Sequence, residues 1–152
     1  MKWRDLHLDN STPHWEIEKT KNGQSHVAVL IPVLVEILQS RKKLQAESKV
    51  ESQFVFYGSG KSGHLGDVKK AKERIIERSG IEDFTVHDLR RTIATYVSDG
   101  GANDLTVKSI LGHSNGDVTA VYARTQLKTK HLVLANAWEE IQKLGKGLEV
   151  WW

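Results

Sequence analysis

A chain of 152 residues with 39% hydrophobic and 27% charged residues fits one globular domain large enough to bury a core. Zero cysteines exclude disulfides and thiolate metal sites, which makes a reducing cytosol the expected setting. No apolar run reaches the roughly 18 residues of a membrane span, the charged opening "MKWRDLHLDN" is not a signal peptide, and a net charge of +3 permits a polyanionic partner without requiring one.

The N-terminal part reads as β structure. "LHLD" is a short strand, and "HWEIE" and "SHVAVLI" carry the aromatic and β-branched residues that suit a pleated surface. Between them "KTKNGQ" places Asn-Gly where a tight hairpin needs left-handed residues. Pro32 ends the strand, and "VLVEILQSRKKL" repeats apolar residues at helical spacing in Leu34, Ile37 and Leu38. "QAESKVESQ" reads as a polar loop, "FVF" as a short apolar piece, and "GSGKSGHLG" as a second loop. A basic helix follows, "DVKKAKERIIERSG", stopped by Gly80.

From Thr85 onward the signals are helical. Thr85 and Asp88 stand in capping-box spacing, with Leu89, Ile93, Tyr96 and Val97 on one face before Gly100-Gly101. "NDLTVKSILG" is a short helix with Gly112 as its C′ residue. "SNGD" opens a helix through Val118, Val121 and Tyr122; after "RTQLKTK", "HLVLANAWEEIQKL" makes a last amphipathic helix with Leu134, Trp138 and Ile141 on one side. The expected fold class is α+β, a small antiparallel β-sheet on the N-terminal side followed by a mainly α-helical body. The expected division is a β-hairpin region over 1–31, a helical body over 32–144 and a tail over 145–152, all within one domain.

Several residues can do chemistry on an oxyanion. His87 and Arg90 in "HDLRRT" share a helix face near an N-terminus, where free N–H groups and the helix dipole favour a phosphate. His113 sits in the turn after Gly112, and Tyr122 lies nine residues further on. Each has a commonplace reading: a helix-start histidine beside a solvated arginine, an inert loop histidine, a core tyrosine. A tyrosine with a pKa near 10 attacks nothing unless its proton is removed or stabilised. Lys19 and Lys21 flank the hairpin tip, ordinarily as solvated ammonium groups and otherwise as proton donors to a neighbouring cleft. His7, His14, His26 and His64 show no ligand spacing and read as surface or hairpin residues.

The order and spacing of "HDLRRT", "LGH" and "VYAR" resemble the later motifs of the tyrosine recombinases, the phage-integrase family. "MKWRDLHLD" resembles that family's segment before the hairpin, and "EKTKNGQSHVAVLI" the hairpin itself. The stretch from "FVFYGSGKSGHLG" to "HDLRRT" is similar to prophage-type integrases, and the resemblance runs from Met1 to about Leu144. It implies a partial catalytic domain acting on double-stranded DNA in a bacterial cytoplasm. Tyr122 would attack a phosphodiester to leave a 3′-phosphotyrosyl link, and the full-length protein would self-associate as a tetrameric synapse on DNA. Arg90 would hold the nonbridging oxygens, His87 would assist removal of the tyrosine's proton, and His113 would donate to a phosphate oxygen. Lys21, with Lys19 as fallback, would protonate the leaving 5′-oxygen. No metal or other cofactor is implied.

One departure stands out. The family uses two catalytic arginines, the first upstream of the segment that "MKW" resembles, and Arg4 falls too late to replace it. The chain therefore reads as a fragment without the family's N-terminal clamp. Losing one transition-state donor costs about 3–4 kcal/mol, on the order of 10² to 10³ in rate. The helix "HLVLANAWEEIQKL" either packs in cis or passes to a neighbouring subunit, and the tail "GKGLEVWW" has no functional reading. A non-catalytic DNA-binding module built on "RKK" and "KKAKERIIER" is the alternative; type IB topoisomerases share the chemistry but not the prophage-like detail.

Overall fold

The computed structural model describes residues 1–19, 23, 25–112 and 120–145, with 120–125 described by backbone alone. The chain folds as two compact units, Met1–Arg90 and Arg91–Trp152.

The first unit is built on a three-stranded antiparallel sheet, β1 (Leu6–His7), β2 (His14–Ile17) and β3 (His26–Val29), in that spatial order. The register sets Leu6 opposite Trp15 and His7 opposite His14, then Trp15 opposite Ala28 and Ile17 opposite His26. Because side chains alternate across a strand, Leu6 and His7 point to opposite faces. Leu6 joins the core with Leu30, Leu38 and Val55, flanked by Met1, Trp3, Leu8 and Val35. Burying each Leu or Val contributes about 1.5–3 kcal/mol. Gly23, at the turn between β2 and β3, has φ +75°, the left-handed geometry that an Asn-Gly hairpin demands.

Helix α1 (Pro32–Glu47) begins with proline in its first turn, where the missing N–H costs nothing. It runs past the expected end at Leu44 and takes in "QAE", the front of the stretch expected to be a loop. The reason is tertiary. Gln45 is buried, accepts from the Trp3 indole and donates to the Ser52 carbonyl, so a polar residue completes the inner face. Of the apolar residues on this helix, Leu38 is buried while Leu34 and Ile37 remain exposed. The "FVF" piece lies beside the chain start: Lys2 and Phe54 form an isolated bridge, and the Trp3 amide donates to the Gln53 carbonyl at 3.0 Å. Helix α2 (Lys69–Ser79) ends as expected, with Gly80 left-handed and its amide donating to the Ile76 carbonyl at 2.9 Å.

Helix α3 (Val86–Asp99) runs through the division between the units. In the second unit Asn103 caps α4 (Asp104–Ile110), its side chain accepting from the Thr106 amide at 2.9 Å. Helix α5 (Ala120–Leu144) is continuous over 25 residues, and α4 packs against it. This corrects the expectation of separate helices around "RTQLKTK", whose residues are helical throughout. Lys130 and Ala137 are buried, and Leu134, Trp138 and Ile141 are half-buried on the same side, as the spacing predicts. Among the described residues no helix is long and apolar enough to cross a membrane.

Candidate functional site

The start of α3 is set by local chemistry. The Thr85 amide donates to Asp88 Oδ2 at 2.9 Å, and the Asp88 amide donates back to Thr85 Oγ1 at 3.3 Å. This reciprocal capping box fixes the helix to begin at Val86. His87 and Arg90 therefore fall in the first turns, both exposed, three residues apart on one side of the helix. A guanidinium fork and an imidazole at a helix N-terminus can jointly hold a phosphate: the helix end carries a partial positive charge and the arginine is a planar bidentate donor. The Asp88 carboxylate is spent on the cap, where it balances the same positive end.

In the first unit an open groove of about 890 Å³ is lined by Lys2, Arg4, Lys19 and Arg41 together with Trp15, Phe54 and Phe56. Asp5, Glu16 and Glu18 line it too, and Arg4 pairs with Asp5 at 3.3 Å. Arg41 is held in place: its Nε donates to the Val55 carbonyl, and its guanidinium lies 4.8 Å from the Phe56 ring centre. Cations interleaved with aromatic rings suit a polyanionic strand bearing flat bases. The sequence points to Lys19 at the hairpin and to Arg41 within "RKK", but not to Lys2, and residues 2, 19 and 41 meet only through the tertiary fold.

In the second unit Gly112 ends the helical segment with φ +67°, a left-handed turn immediately before position 113. Tyr122 stands in the first turn of α5, described by its backbone alone. His113 and Lys21 lie outside the described residues. Of the expected site residues the structure thus places His87 and Arg90 side by side on α3, and Lys19 in the groove. Among the described residues, the side chains grouped closely enough to hold a metal ion are His7, His14 and Glu16, none of which is expected to act on a phosphate.

The model of the phage integrase family matches residues 1–129. A tyrosine recombinase XerC-like protein of Caldanaerobacter subterraneus is 34% identical over 126 residues, covering 76% of this chain and 32% of the relative. The tyrosine recombinase XerC of Chlamydia caviae is 25% identical over 130 residues, covering 77% of this chain and 41% of the relative. The tyrosine recombinase XerD of Rhizobium meliloti is 25% identical over 124 residues, covering 79% and 40% respectively. The matched segments thus span about a third to two fifths of these relatives. No solved structure matches the chain significantly. With its capped His87–Arg90 helix start inside a family match that also spans "LGH" and "VYAR", the chain belongs to the phage integrase family of tyrosine recombinases.

Proposed function

We propose that this chain is the partial catalytic domain of a site-specific DNA recombinase that cuts and rejoins strands through Tyr122. The observation that carries this reading is the pairing of His87 and Arg90 in the first turns of α3, in order with Tyr122 inside the family match. The Tyr122 oxygen attacks phosphorus, a Tyr–O–P bond forms, and the bond from phosphorus to the 5′-oxygen breaks. The tyrosine's proton leaves with help from His87, and Lys21, or Lys19 in its place, supplies a proton to the departing 5′-oxygen. Arg90 and His113 hold the nonbridging oxygens as charge builds on them. Phosphodiester energy is kept in the covalent link, so a hydroxyl from another strand reseals it without a nucleotide cofactor. Assembly of four full-length copies on DNA belongs to the same proposal.

The test uses a suicide DNA duplex drawn from sequence flanking the gene, nicked so that the 5′ product diffuses away. A covalent protein–DNA band lost in Tyr122→Phe supports the assignment. This chain alone is expected to form little or no adduct, so the same assay is run on the chain extended upstream to supply the family's first arginine; DNA binding by that protein without any Tyr122-dependent adduct sinks the reading. That outcome would favour the second reading, a non-catalytic DNA-binding module, which the groove of Lys2, Arg4, Lys19 and Arg41 supports.

A further inference from the structure

The β1–β2 register brings together two histidines that are seven residues apart in the chain. His7 and His14 are direct cross-strand partners, and Glu16 follows His14 by two, so all three side chains leave the same face of the sheet. The imidazole rings stack with centres 4.6 Å apart and planes at 22°. His7 Nε2 lies 3.5 Å from Glu16 Oε2, and His14 Nε2 lies 3.6 Å from Glu16 Oε1. These separations are too long for the charge-assisted hydrogen bond of about 2.7–2.9 Å that a simple imidazolium–carboxylate pair makes. Each histidine instead reaches a different oxygen of one carboxylate, and modest side-chain adjustment would close the three donors on a single ion. Ligand bonds of about 2.0–2.1 Å in tetrahedral arrangement put neighbouring donor atoms roughly 3.3–3.4 Å apart.

A second observation points the same way. His14 Nδ1 lies 2.8 Å from the Thr12 carbonyl oxygen, which can only accept. Nδ1 therefore carries the hydrogen, and Nε2 is turned toward Glu16. Anchoring one ring nitrogen on a backbone carbonyl while the other faces a cation is the usual way a ligating histidine is oriented. One donor atom from each of the three residues fits within 4.8 Å of the others.

We propose that His7, His14 and Glu16 form a binding site for a divalent transition ion of the zinc class, completed by water. Two nitrogens and a carboxylate with an open position are a familiar zinc donor set. The ion ties β1 to β2 across the loop between them. Strand β1 has only two residues and two paired positions, so a bound ion adds a cross-strand tie to a short ladder. Strand β2 ends at Ile17, two residues before Lys19, so the tie fixes the base of the hairpin.

The test is calorimetric titration of the chelator-treated full chain with Zn²⁺, repeated with His7→Gln and Glu16→Gln. Glu16 is exposed at 59% and His7 half-buried at 35%, and neither is a core residue, so the fold is expected to survive. The site predicts one saturable Zn²⁺ per chain, weakened at least about tenfold by either change. No saturable binding, or affinity within about threefold of the parent in both variants, overturns it and places any zinc on other histidines. Ring-proton NMR of the unaltered protein decides the matter independently of the variants. His7 and His14 resonances shifting with saturating Zn²⁺ support the site, and resonances that stay fixed overturn it.

Discussion

The indole N–H of Trp3 donates to Oε1 of Gln45 at 3.1 Å, and the same amide's Nε2 donates to the Ser52 carbonyl at 2.8 Å. One buried side chain thus joins the chain start, the last turns of α1 and the segment leading to Val55. Gln45→Leu keeps the volume but leaves an indole donor and a carbonyl acceptor without their partner. The expected loss is about 1–3 kcal/mol, read as a lower urea midpoint at unchanged slope. A midpoint within error of the parent would show that water replaces both contacts.

Capping of α3 is a separable contribution. Thr85→Ala removes the hydroxyl that accepts from the Asp88 amide and should cost about 1 kcal/mol. Thr85→Ser retains it. Circular dichroism melts of the pair should therefore separate by a few degrees, with the serine variant close to the parent.

At the proposed active site, Arg90→Ala should lower formation of the covalent DNA adduct by on the order of 10² to 10³. Equilibrium binding of the same duplex should fall far less, because many other cations contribute to it. Equal losses in both assays would reassign Arg90 to docking. The two are separated by measuring adduct at saturating protein.

Lys130 carries a pH prediction. Burial holds its ammonium below the ordinary lysine range, since desolvation penalises the charged form. Below that lowered pKa both folded and unfolded chains are protonated there, and the burial cost is felt in full. As pH rises the folded state gives up its proton first, so stability climbs until the unfolded lysine titrates as well. Lys130→Met should flatten this alkaline rise and stabilise the protein at neutral pH by about 1–3 kcal/mol. Denaturant titrations at neutral and alkaline pH check it; a variant less stable than the parent at neutral pH refutes it.

Legibility in the sequence followed the range of the interactions. The α3 start could be read from Thr85 and Asp88, and the α2 stop from Gly80, because those contacts close within four residues. The hairpin was legible for the same reason: a left-handed Gly23 between β-rich segments needs no distant partner. The end of α1 was not. "QAE" looks polar and loop-like, and its contacts with Ser52 and with Trp3, 42 residues away, make Gln45 an interior residue. "RTQLKTK" misled similarly, since its polar residues continue a helix whose buried side includes Lys130. His7 and His14 look unrelated until the strand register sets them face to face. For the candidate site, "HDLRRT" could be placed from local signals, whereas Lys2 and Arg41 join Lys19 only once the first unit is assembled.

Continuity of α5 has a mechanical consequence. Position 122 and the buried residue Ala137 lie on one unbroken rod, 15 residues or roughly 22 Å apart at 1.5 Å per residue. Pivoted at Ala137, a tilt of about 5° swings position 122 by about 2 Å, comparable to the distance by which a nucleophile is in or out of reach of phosphorus. Small changes in how the far end of this helix is seated are therefore amplified where the tyrosine stands, with no hinge required in between.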